Sequence, residues 1–140
     1  MLAFYRYLYV IIYHDMQTES DRLSRIRQSL SQLAKEVQAL LPVLMDRRPM
    51  IKGTVYEQRR KCGKPTCYCA SGEPHRSMML SRSVRGRTKL TKVPDGELKN
   101  FQVLTERYQK FRRARARLGQ IYKEMIGLID QLEKARRKEP

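Results

Sequence analysis

The chain has 140 residues, of which 41% are hydrophobic and 31% charged, so it is long enough for one domain but not for a thick apolar core. Its formal charge of +16 exceeds what solubility requires and predicts a polyanionic partner. Three cysteines within eight positions exclude the disulfide framework of a small secreted domain and favour a reducing, cytoplasmic compartment.

Residues 1–15 form an apolar, tyrosine-rich segment that differs from the rest of the chain. The segment is too short to span a bilayer, which requires about 20 apolar residues, and no small-residue cleavage site follows it. We expect Met16 to be the working start and residues 1–15 to be a non-native or disordered extension. An interfacial membrane anchor and a short helix or strand packed on the body are the alternatives.

Residues 16–48 are predicted to form an amphipathic helix. Apolar residues repeat there with alternating spacings of three and four, which places one stripe along a helix: Leu23, Ile26, Leu30, Leu33, Val37, Leu40 and Leu44. Thr18 and Ser20 are candidate N-caps, and Pro42 is expected to kink or end the last turn. The helix should therefore run from about residue 19 to between residues 41 and 45.

Residues 49–94 are predicted to form a small β-hairpin head that contains all the cysteines. The segment KGTVYEQRR is rich in β-branched and aromatic residues, and SMMLSRSV and RTKLTKV flank the pair Arg85-Gly86. A glycine at the second central position suits a tight hairpin turn that needs positive φ. We therefore expect two or three short antiparallel strands.

Residues 95–140 are predicted to form a single long helix of about 40 residues, which is roughly 60 Å at 1.5 Å per residue. Its seam has heptad spacing and is interrupted only by Arg115: Phe101, Leu104, Tyr108, Phe111, Arg115, Leu118, Tyr122, Met125, Ile129 and Leu132. Such a seam requires a partner helix. The predicted fold class is mainly α, with two long helices in an antiparallel coiled-coil hairpin flanking a small cysteine-rich head. A homodimer is expected to cover the remainder of the longer seam.

The sequence CGKPTCYCASGEPH places four candidate metal ligands on one short loop, namely Cys62, Cys67, Cys69 and His75. Thiolates and imidazole are the ligands that tetrahedral Zn²⁺ prefers, and four protein ligands leave no position for a catalytic water. We therefore predict a structural zinc site. Glu73 is an alternative fourth ligand. Reduced cysteines without metal, or a redox disulfide from Cys67 to Cys69 or to Cys62, remain alternatives.

The segment GTVYEQRRKCGKPTCYCASGEPH, followed by a hairpin and KVPDGELKNF, resembles a small bacterial and archaeal domain of unknown function. That family carries a C-G-K-P-x-C-x-C segment and then a histidine, and its genes often lie near transposases. The resemblance covers about residues 50–125. It implies a metal-binding head on a helical stalk in a mobile-element setting, without a biochemical activity. The family pattern continues with Gly-Pro and several tyrosines, whereas this chain has Arg76, Ser77, Met78 and Met79.

Basic residues without interspersed acids form a second functional signal. We predict that the following side chains contact nucleic-acid phosphates, with DNA favoured over RNA: Arg59, Arg60, Lys61, Lys64, Arg76, Arg82, Arg85, Arg87, Lys89, Lys92, Arg112 and Arg113. On the long helix, six basic residues from 107 to 117 repel one another unless an anion covers them. A solvated helix face and an anionic lipid surface are the alternatives.

No catalytic motif competes with these two signals, since the chain has no phosphate-binding loop, nucleophile elbow or clustered carboxylates. We therefore predict a protein that is not an enzyme and does not act at a membrane. The leading hypothesis is a zinc-stapled coiled-coil protein that binds nucleic acid as an accessory to a mobile element. The alternative is an adaptor whose helical seam binds a transposase or another protein.

Overall fold

A computed structural model describes the backbone of residues 2–138 and the side chains of residues 18–138. The elements are, in chain order, α1 (Leu2–Leu44), β1 (Thr54–Arg60), a 3₁₀ turn (Tyr68–Ala70), β2 (His75–Val84), β3 (Arg87–Lys92) and α2 (Leu98–Arg136). The chain divides into two compact units. Residues 45–114 form one, which we call the sheet unit, and the other combines residues up to 44 with those from 115 onward. Within the described part of the chain, no helix is long and apolar enough to cross a membrane.

Helix α1 buries the stripe that the sequence predicts. Ile26 and Leu33 are buried, and the other five members of the stripe are partly buried. The helix begins at Leu2 instead of near residue 19, because no glycine or proline interrupts residues 2–41. Thr18 therefore lies inside the helix and is not its N-cap. The side chains of residues 1–15 lie outside the described residues, so the non-native extension stays a prediction.

The three strands form one antiparallel sheet in the order β1-β2-β3. Strand β2 is ten residues long, so it pairs with β1 through residues 75–81 and with β3 through residues 79–84. The turn between β2 and β3 has positive φ at both central residues, 50° at Arg85 and 77° at Gly86, as a type I′ turn requires. The predicted strands and this turn are therefore confirmed.

The predicted fold class is wrong, because the chain combines two helices with a three-stranded sheet that is larger than a hairpin head. The first part of α2 belongs to the sheet unit and does not continue a coiled-coil seam. The amide of Ile51 donates to the carbonyl of Leu104 at 3.1 Å, and Gln109 Nε2 donates to the carbonyl of Gly53 at 3.1 Å. Apolar periodicity shows that α2 has a buried face, but it cannot show that a sheet covers part of that face.

Along α2, the most deeply buried apolar side chains lie one residue before members of the predicted seam, while Leu118, Met125 and Leu132 of that seam are partly buried. Ala114 and Ile121 are 5% and 0% exposed, whereas Tyr122 and Ile129 of the predicted seam are 53% and 51% exposed. Apolar side chains occupy both of these adjacent stripes, so heptad counting alone cannot choose between them. The buried face therefore contains Ala114 at the level where the predicted seam has Arg115.

An ion pair joins the two helices of the second unit. Arg117 donates to both carboxylate oxygens of Glu36, from Nε at 2.6 Å and from Nη2 at 2.8 Å, and Nη1 donates to Glu124 at 3.1 Å. The hydrogen bonds from Arg117 lower the pKa of Glu36. Arg117 is therefore compensated by acidic residues, although the sequence places it in an uninterrupted basic run.

Candidate metal centre and basic surface

The register of the sheet brings the two ends of the cysteine loop together. Arg60 is the last residue of β1 and pairs with His75, the first residue of β2. Residues 61–74 therefore leave the sheet and return to it at neighbouring positions. Cys62 lies two residues beyond the end of β1, so antiparallel pairing alone places its side chain near that of His75.

Two tight turns bring Cys67 and Cys69 close to Cys62. Gly63 has a φ of +80°, which glycine adopts without strain, and the amide of Lys64 bonds to the sulfur of Cys62. The amide of Cys67 then donates to the carbonyl of Lys64 at 3.1 Å, and the amide of Ala70 donates to that of Cys67 at 2.9 Å. The loop thus reverses direction twice within nine residues, which returns its sulfur atoms to one side.

The four predicted ligand atoms converge on one point. All of them lie within 4.8 Å of one another. Cys62 Sγ is 3.5 Å from Cys69 Sγ, and Cys67 Sγ is 3.2 Å from His75 Nε2. Two thiolates bound at about 2.3 Å to one tetrahedral ion lie roughly 3.8 Å apart, so the observed spacing suits a single ion. An iron–sulfur cluster would require wider spacing within the set of four, because its four ligands do not all bind one iron atom.

Glu73 lies outside this cluster, although the sequence offers it as an alternative fourth ligand. Its carboxylate accepts a hydrogen bond from Arg76 Nη2 at 2.7 Å and forms an exposed ion pair there. His75 is therefore the residue that completes the set of four. The group can hold a metal ion, and three sulfur ligands with one imidazole are the donor set of known structural zinc sites.

The three thiols differ in exposure and in proton affinity. Cys69 is 1% exposed, Cys67 is half-buried and Cys62 is exposed. Hydrogen bonds from the amide of Lys64, from His75 and from the other two thiols lower the pKa of Cys62 to about 6. For Cys67, the amide of Cys69 lowers the pKa, but hydrogen bonds to the neighbouring thiols and burial raise it more. Cys62 is thus the thiolate available to an incoming metal at neutral pH.

Tyr68 fixes the orientation of the histidine ligand. Its hydroxyl lies 2.8 Å from His75 Nδ1, and its ring meets the imidazole edge-on, with centroids 4.8 Å apart at 71°. A metal on Nε2 requires the imidazole proton on Nδ1, where it donates to the Tyr68 oxygen. Sequence reasoning missed this residue. The available signal was an aromatic side chain between two cysteine ligands.

Two of the predicted phosphate-binding lysines belong to the cysteine loop. Lys61 Nζ donates to the carbonyl of Ala70 at 3.4 Å, which ties the start of the loop to the 3₁₀ turn. Lys64 contributes its backbone amide to Cys62, as described above. Three thiolates and a divalent ion would carry a net charge of about −1, which nearby basic side chains can offset. The side chain of Lys61 therefore has a structural contact within the loop.

The sheet divides the predicted basic residues between two faces. Arg59 lies directly opposite Arg76, and Arg82 lies directly opposite Lys89. Because side chains alternate along a strand, these four share one face with Arg87, whereas Arg60 and Lys92 lie on the other face. Arg85 occupies the turn between β2 and β3, and Arg112 and Arg113 lie on α2. The predicted set is therefore not a single continuous surface.

Acidic partners also separate these residues into two groups. Near the metal loop, Arg59 pairs with Glu57 at 2.9 Å and Arg76 pairs with Glu73. Further along the sheet and on α2, seven of the predicted residues have no ion pair to any acid in the described part of the chain: Arg82, Arg85, Arg87, Lys89, Lys92, Arg112 and Arg113. Arg60, Lys61 and Lys64 beside the metal loop also form no ion pair there, so the β2–β3 end of the sheet is distinguished by four such residues close together, namely Arg82, Arg85, Arg87 and Lys89.

A family model described as a domain of unknown function, DUF6788, matches residues 16–102, which is more than half of the chain. The chain belongs to this family. The DUF6788 match includes the whole sheet and all four candidate ligands and ends just inside α2. The expected resemblance is confirmed at this level, while the family's cysteine motif and its link to transposases stay predictions. No curated protein and no solved structure matches the chain.

Proposed function

We propose that this protein is a zinc-stabilised module that binds nucleic acid through contacts to backbone phosphates. The observation that carries the proposal is the group Arg82, Arg85, Arg87 and Lys89 at the β2–β3 end of the sheet, which forms no ion pair within the described part of the chain. Like charges so close together repel one another, and a polyanion relieves that repulsion. The metal centre at the opposite end of β2 serves to hold the sheet in shape.

A structural role for zinc follows from how little the sheet unit buries. Among the described residues of that unit, the buried hydrophobic side chains are Cys69, Leu80, Val93 and Ala114. So small a core benefits from a metal that ties the long loop to the ends of β1 and β2. With four protein ligands the ion has no open position for a substrate or a catalytic water. We therefore place the protein among binding proteins and not among enzymes.

Contacts to phosphates rather than to bases are the expected mode of recognition. The uncompensated groups are arginines and lysines on strands and at a turn, which fix a protein on a nucleic-acid backbone but carry no sequence information. The resemblance to a family encoded near transposases favours the DNA of a mobile element as the first target. Cysteines held as free thiols agree with a cytoplasmic location.

The salt dependence of DNA affinity tests this proposal. Each neutralised phosphate of duplex DNA contributes about −0.9 to the slope of log affinity against log salt, so contacts by four side chains predict a slope near −4. The variant R82A/R85A/R87A/K89A should bind at least about tenfold more weakly and lose most of that slope.

A matched control removes four exposed basic residues from α1, namely Arg22, Arg25, Arg27 and Lys35. This control changes the net charge equally but leaves the sheet intact, so its DNA affinity should fall much less. Equal losses in the two variants, or binding no tighter than millimolar at low salt, would refute the proposal.

A second candidate function rests on α2. Tyr122, Ile126 and Ile129 are 53%, 60% and 51% exposed and recur at i, i+4 and i+7, so they form an apolar stripe on one helix face. An adaptor would use this stripe to bind a second copy of the chain or another protein. Self-association that persists in high salt and is abolished by Ile126→Glu would favour this alternative, since phosphate contacts weaken under those conditions.

A further inference from the structure

Arg82 is unusual among the basic residues of the sheet. Its Nε is buried and has no hydrogen-bond partner within the described part of the chain. Buried polar groups in native proteins nearly always have a partner, and a charged guanidinium is among the least tolerant of being left without one. The side chain of Arg82 is therefore packed against the protein at Nε, and no acid in the described part of the chain forms an ion pair with its guanidinium.

The strand register adds a second, independent observation. Arg82 lies directly opposite Lys89 on the β2–β3 pair, where the Cβ atoms of opposite residues are roughly 5 Å apart. Two cations at that distance destabilise a sheet. Arg59 and Arg76 form the corresponding pair at the other end, and each has a glutamate partner. Among the described residues, no acid plays this role for Arg82 or Lys89.

The residue next to Arg82 on the neighbouring segment is Gly53, which has no side chain. A Cβ on Gly53 would lie 2.6 Å from the carbonyl oxygen of Ser81 and 3.4 Å from Cβ of Arg82. Gly53 also lines an open groove of about 420 Å³ together with Gln109 and Arg113 of α2. Glu106, the acidic residue of that groove, forms no ion pair with Arg82 or Arg113 within the described part of the chain. A further cation therefore lies close to Gly53.

We infer that Arg82 and Lys89 form an oxyanion site that takes one phosphate group. The terminal Nη groups of the Arg82 guanidinium donate to one phosphate oxygen, and the Lys89 ammonium contacts another. The inference rests on the proposed function, in which the bound group is a phosphodiester of the nucleic-acid backbone. It adds that one phosphate occupies a defined position on the sheet and is not held merely by diffuse attraction.

The first test is a titration of the ¹⁵N-labelled full chain with inorganic phosphate at constant ionic strength, followed through the Arg82 Nε–H signal. The expected result is a saturable shift at millimolar phosphate, which a short DNA duplex reproduces at the same signal. Lys89→Gln should weaken binding at least about tenfold, whereas Arg27→Gln, an exposed substitution on α1 outside the predicted phosphate-binding set, should not. A linear shift without saturation, or equal effects of the two variants, would overturn the inference.

Thermal unfolding of Arg82→Met provides the second test. This variant removes both the unpaired donor and the repulsion with Lys89, so we expect a higher melting temperature without phosphate and no further rise when phosphate is added. In the unmodified protein, phosphate should raise the melting temperature. An equal phosphate effect in both proteins would overturn the inference.

The two proposals fail in different ways. If DNA binds with the expected salt dependence but phosphate gives no saturable shift at Arg82, the oxyanion site is wrong and the proposed function stands. If phosphate saturates the site but DNA binds no tighter than millimolar at low salt, the proposed function is wrong and the oxyanion site stands.

Discussion

Replacing Cys69 by Ser is expected to release the metal and to lower the melting temperature of the sheet unit. Cys69 is the most deeply buried of the four ligands, at 1% exposure, and a serine hydroxyl is a far weaker metal ligand than a thiolate. A metal ion held by the four residues would close the loop from Cys62 to His75. A cross-link across a loop of about 15 residues stabilises a protein by about 3 kcal/mol, through the lost entropy of the unfolded chain.

The size of the expected change follows from the size of the unit. For a domain of 60–100 residues, 1 kcal/mol corresponds to about 4–8 °C, so the loss of the tether should lower the melting temperature by roughly 12–24 °C. Differential scanning calorimetry in zinc and in chelator measures this shift. The chelator should produce it in the unmodified protein and should have no effect on Cys69→Ser.

Thr66→Ser is the matched control, because Thr66 is an exposed residue of the same loop and is not a candidate ligand. This variant should keep one zinc per chain and its response to chelator. A Cys69→Ser protein that keeps both a full equivalent of zinc and the unmodified melting temperature would refute the assignment of the ligands. If the chelator does not change the melting temperature of the unmodified protein, the proposal that a bound metal stabilises the sheet unit is wrong.

Three further predictions concern single residues. Tyr68→Phe should weaken zinc binding about 10–100-fold in competition with a chromophoric chelator, and an unchanged affinity would show that the hydroxyl does not orient the ligand. Ile121→Ala should lower the free energy of unfolding, measured by urea denaturation, by about 2–5 kcal/mol. Ile126→Ala should lower it by less than about 0.5 kcal/mol, and equal losses in the two variants would contradict the buried face described for α2. In metal-free protein, alkylation should modify Cys62 first, because it is exposed and its pKa is lowered to about 6. Cys69 should be modified last. Peptide mass spectrometry measures the order of modification, and the opposite order would contradict this prediction.

The strands, the turn between β2 and β3 and the stripe of α1 were predictable, because each depends on residues that are close together in the sequence. The β-branched and aromatic runs predict the three strands, and the glycine of the Arg85-Gly86 pair predicts the turn, since each depends on backbone preferences of a few residues. The stripe of α1 follows from helical periodicity alone. The four metal ligands were recognisable for a similar reason, because they lie on a single loop.

Features that depend on partners distant in sequence were not predictable. Tyr68 contacts His75 only because the loop folds back, and Arg82 faces Lys89 only because of the strand register. The neutralisation of Arg117 by Glu36 likewise depends on which two helices the fold brings together.

The sequence by itself determined where the strands, the β2–β3 turn and the metal ligands lie, because backbone propensity and ligand chemistry act over a few residues. Only the tertiary structure decided what covers each apolar stripe of α2 and which charges remain without a partner. Adjacent stripes that contain Ile121 and Tyr122 are almost equally apolar, so burial is chosen by the surface that packs against them. Electrostatic compensation is decided in the same way, because a charge is neutralised by whatever the fold places within a few ångströms of it.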